Sequence, residues 1–286
     1  MDEGQGMAEQ MEPRILLSSV ARTSGTLRVY GDAGVDNVIV VGFDATKDNV
    51  VVTVNGATQS VVSKDLKRVR IFGDSGNDRI TIDSTLGTFD IQTSVFGGAG
   101  DDRIRCGDER DYVEGGDGND RISLGNGRNF GFGGAGDDVI DGGDQRDFIS
   151  GGAGADLIHG GADRDQLQGD NGDDTIFGGA GTDDNNEEDG SDLIFGGRGN
   201  DSIFGEGSKD VIFGQDGNDT IDGGTDRDEI FGMAGDDVIS GGGGGDTLYG
   251  GAGDDQLSNV GGDGAIHQGE YAKISKFMRV VAPKVV

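Results

Sequence analysis

The chain has 286 residues, of which 54 are Asp or Glu and 23 Lys or Arg, for a formal net charge of −31. With 59 Gly, 2 Pro and no Trp it cannot fill an ordinary globular core, which leaves an acidic disordered chain or a repeat whose thin core is supported by something else. The charge excludes nucleic acid and anionic membrane surfaces as partners, since both repel an acidic surface, and it opposes compaction unless cations are bound.

The N-terminal segment, residues 1–24, carries Asp2, Glu3 and Glu9 and has no apolar h-region, so no cleavable signal is expected in it. Within it Glu12-Pro-Arg-Ile-Leu-Leu17 resembles an element found near the N-termini of large bacterial surface and secreted repeat proteins, which implies export. Residues 25–96 alternate as strands do, for instance over 49–56 and 68–72. Two repeat-like loops, 31–36 and 73–78, occur there at spacings other than nine. They predict early, irregular coils or a small β-region that caps a solenoid. No run in the chain approaches the ~18 apolar residues of a membrane span.

From Gly97 to His267 the chain divides into nineteen consecutive units of nine residues. Gly97-Gly-Ala-Gly-Asp-Asp-Arg-Ile-Arg105 and Gly133-Gly-Ala-Gly-Asp-Asp-Val-Ile-Asp141 are clear copies. Position six is Asp in all but two units, the exceptions being Asn129 and Gly264; position eight is aliphatic in all but two, Gly131 and Asn185. A disordered acidic tract has no reason to keep such a frame. Gly at positions one, two and four permits positive φ, so the first six residues turn sharply and expose carbonyl oxygens. The last three form a short strand with the middle side chain inward. Two units thus make one flattened coil of 18 residues, an all-β parallel solenoid. Ile104, Ile122, Ile140, Ile158 and Ile176 form one inner ladder, with Val113, Ile149 and Leu167 in the opposing one.

The same stacking sets Asp102, Asp120, Asp138, Asp156 and Asp174 in a column, each 18 residues from the next. Carboxylates one strand spacing apart repel by roughly 1–3 kcal/mol per pair at effective dielectrics of 20 to 80, so cations are expected between them. Carboxylates and turn carbonyls are hard oxygen ligands that suit Ca²⁺ with its 6–8 coordination; Mg²⁺ demands a tighter octahedron, and zinc would want the His and Cys that are scarce here.

The units resemble the RTX (repeats-in-toxin) calcium-binding nonapeptide, G-G-x-G-x-D-x-U-x with U a large aliphatic. The resemblance implies a right-handed parallel β-roll that folds on calcium outside the cell, often exported by a type I secretion system. It identifies a scaffold and no catalytic activity.

The units differ between the two edges of such a roll. Those at 97, 115, 133, 151 and 169 are near consensus, whereas those at 106, 124, 142 and 160 carry Arg110, Arg128, Arg146 and Arg164 at position five. Further along the near-consensus form reappears at 178, 196, 214, 232 and 250, while units 205 and 223 carry Lys209 and Arg227. Counted in nines, the calcium-type loops therefore change edges, with Asp102 to Asp174 extended by Asp192 on one and Asp183, Asp201, Asp219, Asp237 and Asp255 on the other. Gly98, Gly100, Gly116, Gly118, Gly134 and Gly136, then Gly197, Gly199, Gly217, Gly235 and Gly253, are the accompanying loop glycines. Roughly eight calcium ions are expected. The six cationic residues are candidate substitutes for calcium, paired with Asp111, Asp147, Asp165, Asp210 and Asp228; the alternative is an arginine stripe that binds anionic polysaccharide.

The tail, residues 268–286, turns basic and apolar through Lys273, Lys276, Arg279 and Lys284 beside Ile274, Phe277, Met278 and Val281, which predicts a C-terminal cap or a secretion signal. No catalytic residue is expected. His159 and His267 both stand at position nine, on the strand surface, and Cys106 takes a place otherwise held by Gly. The main functional expectation is a calcium-folded extracellular structural protein. An ice-binding roll is a minor alternative that lacks the required array of Thr. Phe177, Phe195, Phe204, Phe213, Phe231 and Tyr249, also at position nine, are expected to cover the strand faces.

Overall fold

The computed structural model describes residues 20–23, 25–46, 48–84, 91–180, 191–259 and 264–267. All of its regular elements are strands, arranged in two sheets of 13 strands each. The chain alternates between the sheets, and within each sheet successive turns of the roll pair in parallel. Tyr112–Asp117 lies between Gln92–Ala99 and Phe130–Ala135 in the first sheet, and Arg121–Ser123 lies between Arg103–Arg105 and Val139–Gly143 in the second. Ile122 sits beside Ile104 and Ile140, the eighteen-residue register expected of two nonapeptides per coil.

A three-residue strand cannot hold itself in water; it persists because its position-eight side chain closes a ladder. Ile140, Ile158, Ile176 and Ile203 of the second sheet, and Ile149, Leu167, Ile194 and Ile212 of the first, are fully buried. At roughly 1.5–3 kcal/mol for each fully buried aliphatic side chain, this ladder is the main apolar contribution. Gly131 interrupts the first-sheet ladder, and the same nonapeptide repairs it: Leu124, at a position usually held by Gly, points into the vacated space and is itself fully buried.

At the N-terminal end the first sheet begins with the antiparallel pair Ala21–Thr23 and Thr26–Tyr30, and the second is extended by Val38–Phe43, Asn49–Val54 and Ala57–Val62 in antiparallel succession. Thr26–Tyr30 and Val38–Phe43 also pair in parallel with Arg68–Ser75 and Arg79–Asp83, so the first coils are continuous with the roll. The Glu12–Leu17 element and the basic tail lie outside the described residues.

Within the nonapeptide region, among the described residues, the eighteen-residue register breaks once. Leu167 pairs beside Ile194 and Ile176 beside Ile203, steps of 27 residues in both sheets. A Cβ on Gly178 would meet the carboxylate of Asp192, which takes the place Asp183 would hold in an unbroken frame. Nine residues are therefore in excess of the coil between Ala180 and Ser191. An insertion of half a coil keeps the count of nine intact while reversing the alternation of edges. The expected change of edge is thereby overturned: the loops at 196, 214, 232 and 250 lie on the same edge as those at 97 to 169. Asp192 belongs to the opposite edge, and Asp183 lies outside the described residues.

Candidate metal centre

The first edge, where the chain turns from the first sheet to the second, gathers the position-six carboxylates into one column: Asp78, Asp102, Asp120, Asp138, Asp156, Asp174, Asp201, Asp219, Asp237 and Asp255. Each loop is pinned to the next through one carboxylate oxygen. The amide of Asp102 donates to Oδ1 of Asp120 at 2.7 Å, that of Asp120 to Asp138 at 2.7 Å, and so on to Asp237 and Asp255 at 3.1 Å. The step across the insertion, Asp174 to Asp201, has the same bond at 2.8 Å.

The second oxygen is different. Oδ2 of Asp102, Asp120, Asp138, Asp156, Asp174, Asp201, Asp219 and Asp237 is buried without any hydrogen-bond partner. Burial pushes these carboxyls up, Asp102 to about 7 and Asp120 to about 6, against the lowering effect of the amide each accepts; Asp138 and Asp219, at about 7, are raised further by the carboxylates on either side. A buried anion with an idle oxygen and like-charged neighbours needs a counter-charge. Position one is Gly because a Cβ there would strike this same Oδ2, as at Gly97 over Asp102 and Gly133 over Asp138.

Position four brings in the carbonyls. Gly118, with φ +127°, lies so close to the carbonyl oxygen of Gly100 one coil earlier that no side chain fits, and Gly136 repeats the contact on Gly118. Gly98, Gly116, Gly134 and Gly197 at position two, and Gly100, Gly199, Gly217, Gly235 and Gly253 at position four, share the positive φ. No group of three or more His, Cys, Asp or Glu side chains converges among the described residues, so a cation here would draw on carboxylate and main-chain oxygen together. That donor set fits a hard divalent ion of high coordination number such as Ca²⁺.

A second ladder on this edge escaped the reading of the sequence. The amide of Asn119 donates to Oδ1 of Asp101 at 2.9 Å, Asp137 to Asn119 at 2.9 Å, Asn218 to Asn200 at 2.8 Å and Asp254 to Asp236 at 2.8 Å. These position-five side chains accept from the amide one coil later, while the position-six side chains accept from the amide one coil earlier. The available signal was the run of Asp and Asn at position five on this edge alone.

On the second edge the carboxylate column recurs as Asp111, Asn129, Asp147, Asp165, Asp192, Asp210, Asp228 and Asp246, with amide bonds of 2.7 Å from Asp147 to Asp165 and from Asp165 to Asp192. Oδ2 of Asp147, Asp165, Asp192, Asp210, Asp228 and Asp246 is again buried without a partner. Burial raises Asp165 to about 8 and Asp192 to about 9. Idle carboxylate oxygens therefore do not distinguish the edges; positions four and five do. Gln145, Asp163, Ser208 and Asp226 occupy position four with φ between 72° and 89°, so side chains stand where the first edge admits none. Position five holds Arg110, Arg128, Arg146, Arg164, Lys209 and Arg227, which cannot accept an amide. None of them donates a hydrogen bond to the idle Oδ2 atoms; the attraction of Arg146 for Asp165 and of Arg164 for Asp192 acts through space and is outweighed by burial. Cys106, at position one of this edge, is buried, and burial raises its thiol well above the ordinary range.

The RTX calcium-binding nonapeptide repeat model matches residues 69–81, 96–131, 124–158, 132–167, 150–184, 188–221 and 222–257. The chain belongs to that family. The matched segments part between 184 and 188, inside the stretch where the coil register slips. No curated protein matches the chain. As an RTX roll it has the two long parallel sheets and the loop chemistry of a calcium-binding repeat.

Proposed function

We propose that this RTX roll is an extracellular structural module that folds when calcium occupies a single column along its first edge. The observation that carries this is the unbroken row of position-four glycines on that edge, from Gly100 to Gly253, each packed on the carbonyl one coil earlier, beside eight successive amide bonds from Asp102 to Asp255 that leave an idle, buried carboxylate oxygen at each step. Each interval would take one ion, held by the flanking position-six carboxylates and the loop carbonyls around Gly98, Gly100 and their equivalents. Bound calcium supplies the positive charge that ten stacked carboxylates lack. Its contribution grows as RT ln(1 + [L]/Kd) at every site, so many weak sites of about 10⁻⁴–10⁻³ M together decide folding. Calcium at that level is found outside the cell, which makes export and folding one event.

The metal-free roll should respond to pH in the opposite sense to an ordinary salt-bridged protein. Its carboxyls are raised from 3.8 to about 6 or 7 on the first edge and to about 8 or 9 at Asp165 and Asp192. Between those values the folded chain holds protons that the unfolded chain has released, so stability falls as pH rises from about 4, mostly by about 7 and at Asp165 and Asp192 up to about 9. The test is circular dichroism with calcium titration and chelation. In chelator at pH 7.5 the strand signal should be lost. It should return in part near pH 4.5, or fully at pH 7.5 with millimolar calcium. A roll equally folded in chelator at pH 7.5 overturns the reading.

A further inference from the structure

We propose that Arg110, Arg128, Arg146 and Arg164 form a binding site for an acidic polysaccharide laid along the roll axis. The site goes beyond the calcium reading and needs only that the roll be folded. The four residues occupy position five of successive second-edge loops, so neighbours are separated by one strand spacing, about 4.8 Å. Arg110, Arg128 and Arg164 are exposed and Arg146 is half-buried.

A row of like charges at this spacing repels itself, as the carboxylates of the first edge do. Asp165 and Asp192 attract Arg146 and Arg164 through space, but this counter-charge is not brought into contact along the row. Arg110, Arg128 and Arg164 form no ion pair with another described residue, and the Oδ2 atoms of Asp147 and Asp165 beneath them have no hydrogen-bond partner. By the logic that places cations between stacked carboxylates, anions belong between stacked guanidinium groups.

The shape of the surface narrows the choice of anion. The arginines border an open groove of about 460 Å³ whose other wall is the outer face of the first sheet, with Phe130 and Phe148 exposing ring surface to it. The Arg110 guanidinium lies over the Phe130 ring, 4.9 Å from its centroid. Bidentate guanidinium contacts suit carboxylates, and aromatic faces suit the flat apolar face of a sugar ring. Charge density decides against other polymers. Duplex DNA carries a charge every ~1.7 Å of its axis, nearly three for each coil of the roll. An extended acidic peptide presents same-face carboxylates about every 7 Å, out of step with the coils. A chain of uronic acids, with one carboxylate per sugar, approximates one charge per coil.

The test uses the full chain in millimolar calcium and isothermal titration with short oligouronates, a sulfated oligosaccharide and a neutral glucan. Binding of the oligouronates is expected, weaker or absent binding of the sulfated probe, and none of the neutral one. Arg128→Ala/Arg146→Ala/Arg164→Ala should lower the affinity at least tenfold with an unchanged calcium-dependent melting curve, and the corresponding triple Lys variant should retain part of it. Equal oligouronate binding by wild type and the triple Ala variant, or no binding by wild type, overturns the proposal. Loss of self-association in the triple variant with no oligouronate binding by wild type would do the same, assigning the column to contact between copies of the chain. The melting curve separates either failure from a failure of the calcium reading.

Discussion

The two edges of the roll are built on one loop, yet they answer differently to the same problem. Both stack a carboxylate at position six, both pin it to the amide of the preceding coil, and both leave its second oxygen buried and idle. On the first edge, position four is glycine packed against the preceding carbonyl, and position five adds a second ladder of amide acceptors. On the second edge Gln145, Asp163, Ser208 and Asp226 stand at position four in a left-handed conformation, only Gly127 and Gly244 among the described residues keep the glycine contact, and position five carries cations. The difference teaches that the shared Asp of the nonapeptide is compatible with two loop designs. An unbroken row of position-four glycines packed on carbonyls, and acceptors at position five, set the first edge apart.

The sharpest way to break this comparison is to remove equivalent carboxylates. Asp138→Ala strands the amide of Asp120, at a cost of about 1–3 kcal/mol. It also removes a ligand from two adjoining calcium intervals, for a total loss of roughly 2–5 kcal/mol in millimolar calcium. Asp147→Ala strands the amide of Asn129 but also deletes a buried anion raised to about 7 by that burial, so the net loss should stay under about 1 kcal/mol. Calcium-dependent melting of the two variants measures both. Equal losses would mean that the edges hold calcium alike.

Position four should give a smaller effect that differs in character between the edges. Gly136→Ala forces a side chain into φ +127° and onto the Gly118 carbonyl, costing about 1–3 kcal/mol and weakening calcium affinity as the loops move apart. Gln145→Gly relieves a positive φ of 73° and should shift stability by less than about 1 kcal/mol, with calcium affinity unchanged. Denaturant titration with and without calcium reads the two. A Gly136→Ala protein that binds calcium as wild type does would show that the carbonyl column is not part of the site.

Most of this architecture was legible because the repeat states it many times. A position-eight aliphatic every ninth residue leaves one arrangement in which Ile104, Ile122 and Ile140 can share a core, and the structure has it. What escaped was context within the repeat. The position-five ladder is invisible in a single unit, since an exposed Asp or Asn looks like ordinary surface until its neighbour one coil away is known. The edge assignment failed for a more specific reason: counting in nines cannot detect an insertion of nine. Two places in the sequence did signal it. Asn185 falls where the frame demands an aliphatic, and Glu187 and Glu188 fall where it demands glycines. A carboxylate at position one would collide with the Asp it should cover, so the sequence itself departs from the repeat there.

The insertion supplies the smallest expected effect and the cleanest check on the corrected register. Removing residues 181–189 joins Gly178-Gly179-Ala180 to Gly190-Ser191-Asp192-Leu193-Ile194-Phe195, which is a complete consensus nonapeptide. In the structure Asp192 already packs with Gly178, and Ile194 already continues the ladder from Leu167. The deletion therefore leaves every described strand pairing and both carboxylate columns in place. Calcium stoichiometry should be unchanged, and stability should move by less than about 1 kcal/mol, since doubling or halving a loop alters closure entropy by only about 0.6 kcal/mol. Had the nine residues formed half a coil, the loops at 169 and 196 would lie on opposite edges of the full chain and come together only on deletion. In the structure the amide of Asn200 donates to Oδ1 of Asp173 at 2.7 Å, so these two loops are already neighbours. The pair Asp173→Cys/Asn200→Cys should therefore cross-link in the full chain as readily as in the deletion variant. Cross-linking in the deletion variant alone would restore the alternating arrangement.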